Sequence, residues 1–388
     1  MPEPQVTLAP RGANRILSGH PWVYRSDILS ADNPEPGDTV RLRDPRGRFL
    51  GKAWFSSKSQ IAIRLVTRDD VPIDDAFLAA RLEVAARYRE RVVADTSAYR
   101  LVYAESDGLP SVIVDRYGDY LVLQTLSQAA ERQKPALVRL LQERFSPKGI
   151  VERNDPKVRL LEGLEQKVGV VAGDCPPMVE VIEHGLTVGC DLLRGQKTGG
   201  FLDQRENRRA AARYSTGAVL DCFSYAGGFA LATARNAASV EAIDSSPAAV
   251  QAAAENVRRN NFTNVSCREA NAFDVLKHYN DIGRKFDMVI LDPPAFAKNK
   301  ASLPAARRGY KEINLRAFKI LRPGGVLVTC SCSHHIPESM LLEIFADAAL
   351  DARRFVTIVE RRTQSRDHPI LLTMPESHYL KCFVLQET

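Results

Sequence analysis

From about residue 186 to the C-terminus, short apolar runs alternate with helical stretches, and this rhythm leaves few folds open. "AVLDCF" (218–223) leads through the glycine turn "SYAGGF" into the helical "FALATARNA". "SVEAID" precedes "PAAVQAAAENVRRNN", where Pro247 suits a first helical position. "NVSCREA", "AFDVLKHY", "KFDMVILDPP", "AARRGYKEINLRAFKILRPGG", "GVLVTCSCS" and "PESMLLEIFADAALDA" continue the alternation, and "RFVTIVERR" and "HYLKCFVLQ" close it. Strands alternating with helices predict an α/β, doubly wound, parallel sheet. Such sheets bind ligands outside the carboxyl ends of their strands.

The first half reads differently. With 388 residues the chain exceeds one typical core. Residues 6–68 pair short apolar runs with turn signals ("EPGDTV", "RDPRGRFLG", "QIAIRLV"), which predicts a small, mostly β module. "IDDAFLAARLEVAARYRERVV" (73–93) has helical periodicity, strands flank "SDGLP" and "RYGD", and "ERQKPALVRLLQERF" (131–145) is helical again. The expected partition is therefore 1–72, an N-terminal β module; 73–185, a central α+β domain; and 186–388, the doubly wound domain.

Charge is unevenly placed. Residues 1–68 hold eleven Lys and Arg against six Asp and Glu, so this module carries +5 of the chain's +6. That is either a nucleic-acid footprint or an ordinary solvated basic surface. No apolar run approaches the ~20 residues of a membrane span, and the N-terminus lacks a signal-peptide stretch, so a cytoplasmic protein is expected. Seven cysteines without CxxC or zinc-type Cys/His spacing predict neither a disulfide framework nor a metal site.

Four strand ends carry the candidate chemistry. In "VLDCFSYAGGFAL" (219–231), Asp221 lies near the end of the first strand, and Gly227 and Gly228 would let backbone approach a ligand. The spacing is not GxGxxG, which disfavours a dinucleotide oxidoreductase. Asp244, ending "VEAID" and followed by Ser245, is placed to accept from a ribose diol. Asn271 and Ala272 in "EANAFD" either flank an adenine or simply cap a helix. "VILDPPAF" (289–296) carries Asp292 out of a buried strand beside Phe296, an acid next to an aromatic that suits a nucleobase.

These motifs in this order resemble those of class I S-adenosylmethionine-dependent methyltransferases. With "GQKTGGFLDQRENR" (195–208), "RGYKEIN" (308–314) and "SCSHH" (331–335), the chain closely resembles, end to end, the bacterial 23S rRNA cytosine-5 methyltransferases of the large-subunit methyltransferase I type. The resemblance implies an N-terminal PUA domain, a small RNA-binding β-barrel, for "GHPWVYRSDI" (19–28) and "PGDTVRLRDPRGRFLGKAWF" (36–55), ahead of the central domain and a Rossmann-like methyltransferase domain. It implies S-adenosyl-L-methionine as cofactor, with Asp203, Gln204 and Arg205 forming the rim beside it. Phe223, Ser224, Tyr225 and Gly227 would border its methionine part, Asp244 would hold the ribose, and Asp292 would face the methyl group and the target base.

Carbon 5 of cytosine is a poor nucleophile until a thiolate adds to carbon 6, and this covalent route calls for a cysteine at a strand's carboxyl end beside an acid. The resemblance matches Ser331-Cys332-Ser333 and makes Cys332 the nucleophile. "TCS" at 329–331 also resembles the catalytic motif of other RNA cytosine-5 methyltransferases, which keeps Cys330 open. Cys330 and Cys332, two apart, share a strand face. In the N-terminal module Trp22, Tyr24, Arg25 and the basic cluster 41–52 are candidates for stacking and phosphate contacts, with a core role as the alternative for Trp22.

Three other readings stay open: an amino-group methyltransferase of guanine N2 type with no covalent step, a non-catalytic RNA-binding ribosome-assembly protein, and action on an assembly intermediate of the large subunit rather than naked 23S rRNA. Oligomeric state is open, a homodimer being the commonest oligomer.

Overall fold

The computed structural model describes residues 3–297 and 299–388. It divides into two compact units. The first runs to Val181 and takes in Cys190–Leu202 and Arg366–Ser377; the second comprises Ile182–Gly189, Asp203–Ser365 and His378–Thr388. Among the described residues no helix is long and apolar enough to cross a membrane.

In the first unit, Gln5–Leu8, Trp22–Tyr24, Ile28–Ala31, Thr39–Arg43, Phe49–Phe55 and Ile61–Thr67 form a six-stranded sheet. Its pairs are antiparallel except Gln5–Leu8 with Thr39–Arg43. A second, five-stranded sheet runs from Ala98–Tyr103 to Lys167–Gly173, accompanied by the helices Asp75–Val92 and Gln128–Phe145. Trp54, not Trp22, is the core tryptophan. Trp22 is half-buried, and its indole N–H donates to Glu105 at 2.9 Å. The basic cluster is largely paired within the chain: Arg41 with Asp70, Arg48 with Asp44 at 2.6 Å, and Lys52 with Glu3 at 2.8 Å. Arg25 donates to the carbonyls of Ser56 and Ser59.

Buried polar groups tie this unit together. Asp115, fully buried, accepts from Arg100 Nε at 2.9 Å and Nη2 at 3.0 Å, and from Thr198 Oγ1 at 2.6 Å. The Arg100 backbone N–H donates to Asp367. The "GQKT" part of the motif at 195–208 thus anchors to this network, and only Asp203 onward belongs to the second unit.

In the second unit we label the strands β1 (Ala218–Cys222), β2 (Ser239–Asp244), β3 (Val265–Glu269), β4 (Phe286–Leu291), β5 (Leu321–Ser331), β6 (Val356–Arg362) and β7 (Lys381–Glu387). The helices are α1 (Arg205–Tyr214), α2 (Gly228–Ala234), α3 (Pro247–Arg259), α4 (Ala272–Asp281), α5 (Leu303–Ile320) and α6 (Glu338–Asp351). The sheet order is β3-β2-β1-β4-β5-β7-β6. Five strands are parallel as the sequence predicts, but β7 inserts antiparallel beside β5 and β6. The connection from β6 to β7, residues 363–380, holds a short 3-10 turn but no crossover helix, and β7 pairs antiparallel with β6.

Helices cover both faces, so the central strands are apolar throughout. Leu220, Val289, Leu291 and Leu327 pack on one face with α4, α5 and α6. Val219, Met288, Ile290, Val328 and Cys330 pack on the other with α1 and α2. Each such buried aliphatic contributes roughly 1.5–3 kcal/mol. The order reverses between β1 and β4, which opens a crevice at their carboxyl ends.

Asp115→Ala would leave Arg100 buried without its carboxylate. It should destabilise the first unit by about 3–5 kcal/mol, read as a lower urea midpoint.

Candidate active site

The loop after β1 is strained. Phe223 (φ 63°) and Tyr225 (φ 47°) are left-handed, as is Gly227 (φ 80°). The two non-glycine residues cost roughly 1–2 kcal/mol each, about what one buried aliphatic of β4 offsets. Strain of this kind points to a functional loop. Ser224 N–H donates to the Ile243 carbonyl at 2.9 Å, which fastens the loop to β2. A Cβ on Gly227 would lie 3.2 Å from Ala253 Cβ in a backbone that side chains rarely adopt. Gly228 answers a different need: a Cβ there would lie 2.8 Å from Arg208 Cδ, under the arginine that forms a two-bond pair with Glu183.

Asp221 is fully buried at the base of this loop. One carboxylate oxygen accepts from Ala230 N–H at 2.9 Å, and Oδ1 has no partner among the described residues. Burial, reinforced by the charges of Asp292 and Asp244, pushes its carboxyl well above the ordinary range. Asp244, at the end of β2, accepts from the backbone N–H groups of Tyr225 and Ser246, each at 2.9 Å. Each oxygen keeps a lone pair for a ligand hydroxyl. Ser245 is exposed beside it. Asn271 does cap α4, accepting from Phe273 N–H at 2.9 Å, and Ala272 is buried in its first turn.

Asp292 follows β4 and is half-buried; its Oδ1 accepts from Gln204 Nε2 at 2.9 Å. Gln204 is oriented in turn by Asn207, which donates to its Oε1 at 2.7 Å. Asp203 accepts from Tyr379 at 2.6 Å while its carbonyl accepts from Ser365. Arg205 is buried rather than on a rim, 3.7 Å from Glu206. Phe296 packs on Tyr310 (ring centroids 4.7 Å) and Phe273 (6.0 Å), so at least one face is taken by protein.

β5 ends at Ser331, and the cysteines separate there. Cys330 is buried opposite Cys382 in the antiparallel register. The contact with Cys382 and burial hold its thiol well up. Cys332 is half-buried just past the strand. Its two neighbours are pinned by one phenol: Ser331 Oγ donates to Tyr310 Oη at 2.9 Å, and Tyr310 and Ser333 hydroxyls lie 3.0 Å apart. "RGYKEIN" supplies this tyrosine, which sequence reasoning quoted but gave no role.

The site therefore joins a strained turn after β1, acids at the ends of β1, β2 and β4, and a cysteine just beyond β5. The Ser224 hydroxyl and Asp221 oxygen, unpartnered among the described residues, the tight Gly227 turn and the remaining lone pairs of Asp244 fit an amino-acid and nucleoside ligand such as S-adenosylmethionine. Fold and site define a class I methyltransferase, and residues 165–371 match the S-adenosylmethionine-dependent methyltransferase family, residues 6–68 a PUA-like domain. The chain is 41% identical to ribosomal RNA large subunit methyltransferase I of Erwinia tasmaniensis, over 98% of each chain, and 42% identical to that of Shewanella denitrificans, also over 98% of each. It belongs to the ribosomal RNA large subunit methyltransferase I family and is an S-adenosylmethionine-dependent enzyme. The fold is shared with a SAM-dependent methyltransferase from Streptococcus mutans (TM-score 0.84, 19% identity, 98% of this chain and 99% of that one). It is shared less closely with a SAM-dependent methyltransferase from Agrobacterium tumefaciens (TM-score 0.53, 16% identity, 76% and 90%).

Two outcomes follow. Asp244→Ala should weaken S-adenosylmethionine binding by ~1–3 kcal/mol, measured by calorimetry. Asp221 keeps its proton longer folded than unfolded, so it lowers stability as pH rises above about 4. The thermal midpoint of Asp221→Asn should therefore gain on the parent between pH 4 and pH 8, and this gain should be absent below pH 4.

Proposed function

We propose that the enzyme methylates carbon 5 of a cytosine in 23S rRNA through a covalent adduct with Cys332. The observation that carries this reading is the clamp on Ser331 and Ser333, which holds a half-buried cysteine at the carboxyl end of β5, on the strand next to the one that delivers Asp292. The names of the relatives support ribosomal RNA of the large subunit as acceptor, and the PUA-like module supports RNA binding.

The Cys332 thiolate attacks carbon 6 of the ring, forming an S–C bond and moving the ring double-bond electrons toward carbon 5. Asp292, carrying a proton, donates a hydrogen bond to ring nitrogen 3 and eases the addition. Gln204, by donating to Asp292, fixes the direction in which the carboxyl meets the base. S-adenosylmethionine would supply an electrophilic methyl group to carbon 5, its S–CH3 bond breaking to leave S-adenosylhomocysteine. A base then removes the carbon 5 proton, the double bond re-forms, and the S–C bond breaks to release the thiolate.

Within this reading Asp221, Phe223, Ser224, Tyr225, Gly227, Asp244, Ser245, Asn271 and Ala272 surround the cofactor, and Asp203 and Arg205 support Gln204 from within the chain. Residues 1–72 grip RNA, 73–185 form the central domain and 186–388 the catalytic one. The enzyme works in the cytoplasm on naked 23S rRNA or a large-subunit assembly intermediate, as a homodimer or alone.

The test is product identity. Incubation with methyl-labelled S-adenosylmethionine and unmodified 23S rRNA, followed by digestion and mass spectrometry, should give labelled 5-methylcytidine. Label on a guanosine amine would overturn the covalent route. Cys332→Ala should lose turnover to background while binding the cofactor as the parent does; full activity would pass the role to Cys330.

A further inference from the structure

Lys381 opens β7, and the four residues that follow it, Cys382 to Leu385, are apolar. Leu380, Cys382, Phe383, Val384 and Leu385 are buried, and Lys381 itself is only 5% exposed. A buried ammonium must find acceptors. Lys381 Nζ donates to the Ser333 carbonyl at 2.8 Å and to the Ile336 carbonyl at 2.9 Å. Both belong to the turn that leaves Cys332, a turn closed by the Ile336 N–H on the Ser333 carbonyl at 3.2 Å. In the β5–β7 register Lys381 lies opposite Ser331. The cation thus pairs across the sheet with the residue before Cys332 and hydrogen-bonds the residue after it.

The other groups near this turn do not take over that task. The Tyr310 phenol is pushed up by burial and stays neutral. Glu338, at the start of α6, faces Lys381 and also lies 3.6 Å from Arg361. His334 and His335, on the same turn, face one another with ring centroids 5.5 Å apart. Asp292 is held by Gln204. Burial draws the Lys381 ammonium below its ordinary range, while Cys332 and Glu338 work to retain its proton.

We propose that Lys381 is a positioning residue for the nucleophile: its ammonium fixes the 333–336 turn through two carbonyls and, beside Cys332, favours the thiolate. The proposal rests on the reading of Cys332 as nucleophile. A neighbouring lysine is one of the settings that make a cysteine reactive near neutral pH. The thiol proton leaves to solvent, and Lys381 stays protonated throughout.

The test is the rate of Cys332 alkylation by iodoacetamide in the full chain, followed by peptide mass spectrometry from pH 5.5 to 10. Lys381→Gln keeps an N–H donor group and removes the charge. It should raise the midpoint by about one unit and slow alkylation about tenfold at pH 7, with the high-pH plateau unchanged. Lys381→Arg should restore the midpoint, and kcat for methyl transfer should follow the same pattern. A lower plateau with an unmoved midpoint would mean a structural role only and overturn the proposal. So would a parent midpoint at or above about 8.5, the value of a free cysteine, a measurement that needs no variant. An active Cys332→Ser enzyme would instead sink the nucleophile reading, whatever the alkylation midpoints do.

Discussion

A strand buried on both faces can present polar chemistry only where it stops. β1, β4 and β5 are walled by α1 and α2 on one side and by α4, α5 and α6 on the other. Their alternation sends Leu220, Leu291 and Leu327 one way and Val219, Ile290 and Val328 the other. Asp221, Asp292 and Cys332 therefore cluster near the strands' ends, where backbone geometry fixes their spacing. The in-register pairs Cys222–Leu291 and Leu291–Thr329 carry that spacing from β1 to β5. Everything at the site inherits its position from this desolvated slab.

The legible part of the sequence was the part governed by local periodicity. The strand and helix order of the second unit follows from apolar runs and glycine turns, and the acids at strand ends follow from the topology. The antiparallel β7 was not legible as such, because an apolar run has no direction. Partners distant in sequence were equally hidden. Nothing in "RGYKEIN" says that Tyr310 reaches two serines more than twenty residues on, nor in "HYLKCF" that Lys381 turns toward carbonyls on β5's exit. A signal was nonetheless there: a lysine in a buried strand must be explained by an acceptor. The two tryptophans of residues 1–72 were not legible for a related reason: Trp54 packs with residues of the central helices and sheet, and Trp22 is half-buried.

Gly227 and Gly228 show that adjacent identical residues answer different demands. One serves a left-handed turn against α3, the other makes room for the stem of Arg208. The sequence presents them as one glycine pair, and only packing separates them. Asp203 and Arg205 teach the same lesson from the other side. Both belong to a motif with catalytic resemblance, yet Asp203 is engaged by Tyr379 and Arg205 is buried.

Four of the N-terminal cations are already matched with carboxylates: Arg41 with Asp70, Lys52 with Glu3, Arg48 with Asp44, Arg11 with Asp27. A polyanion that engages one of these four cations exchanges partners with an acid. Each carboxylate released recruits a solution cation, which cancels part of the counterion release that normally drives such binding. The ionic-strength dependence of association would then under-report the number of phosphates engaged, and discrimination would fall to shape and to contacts other than charge.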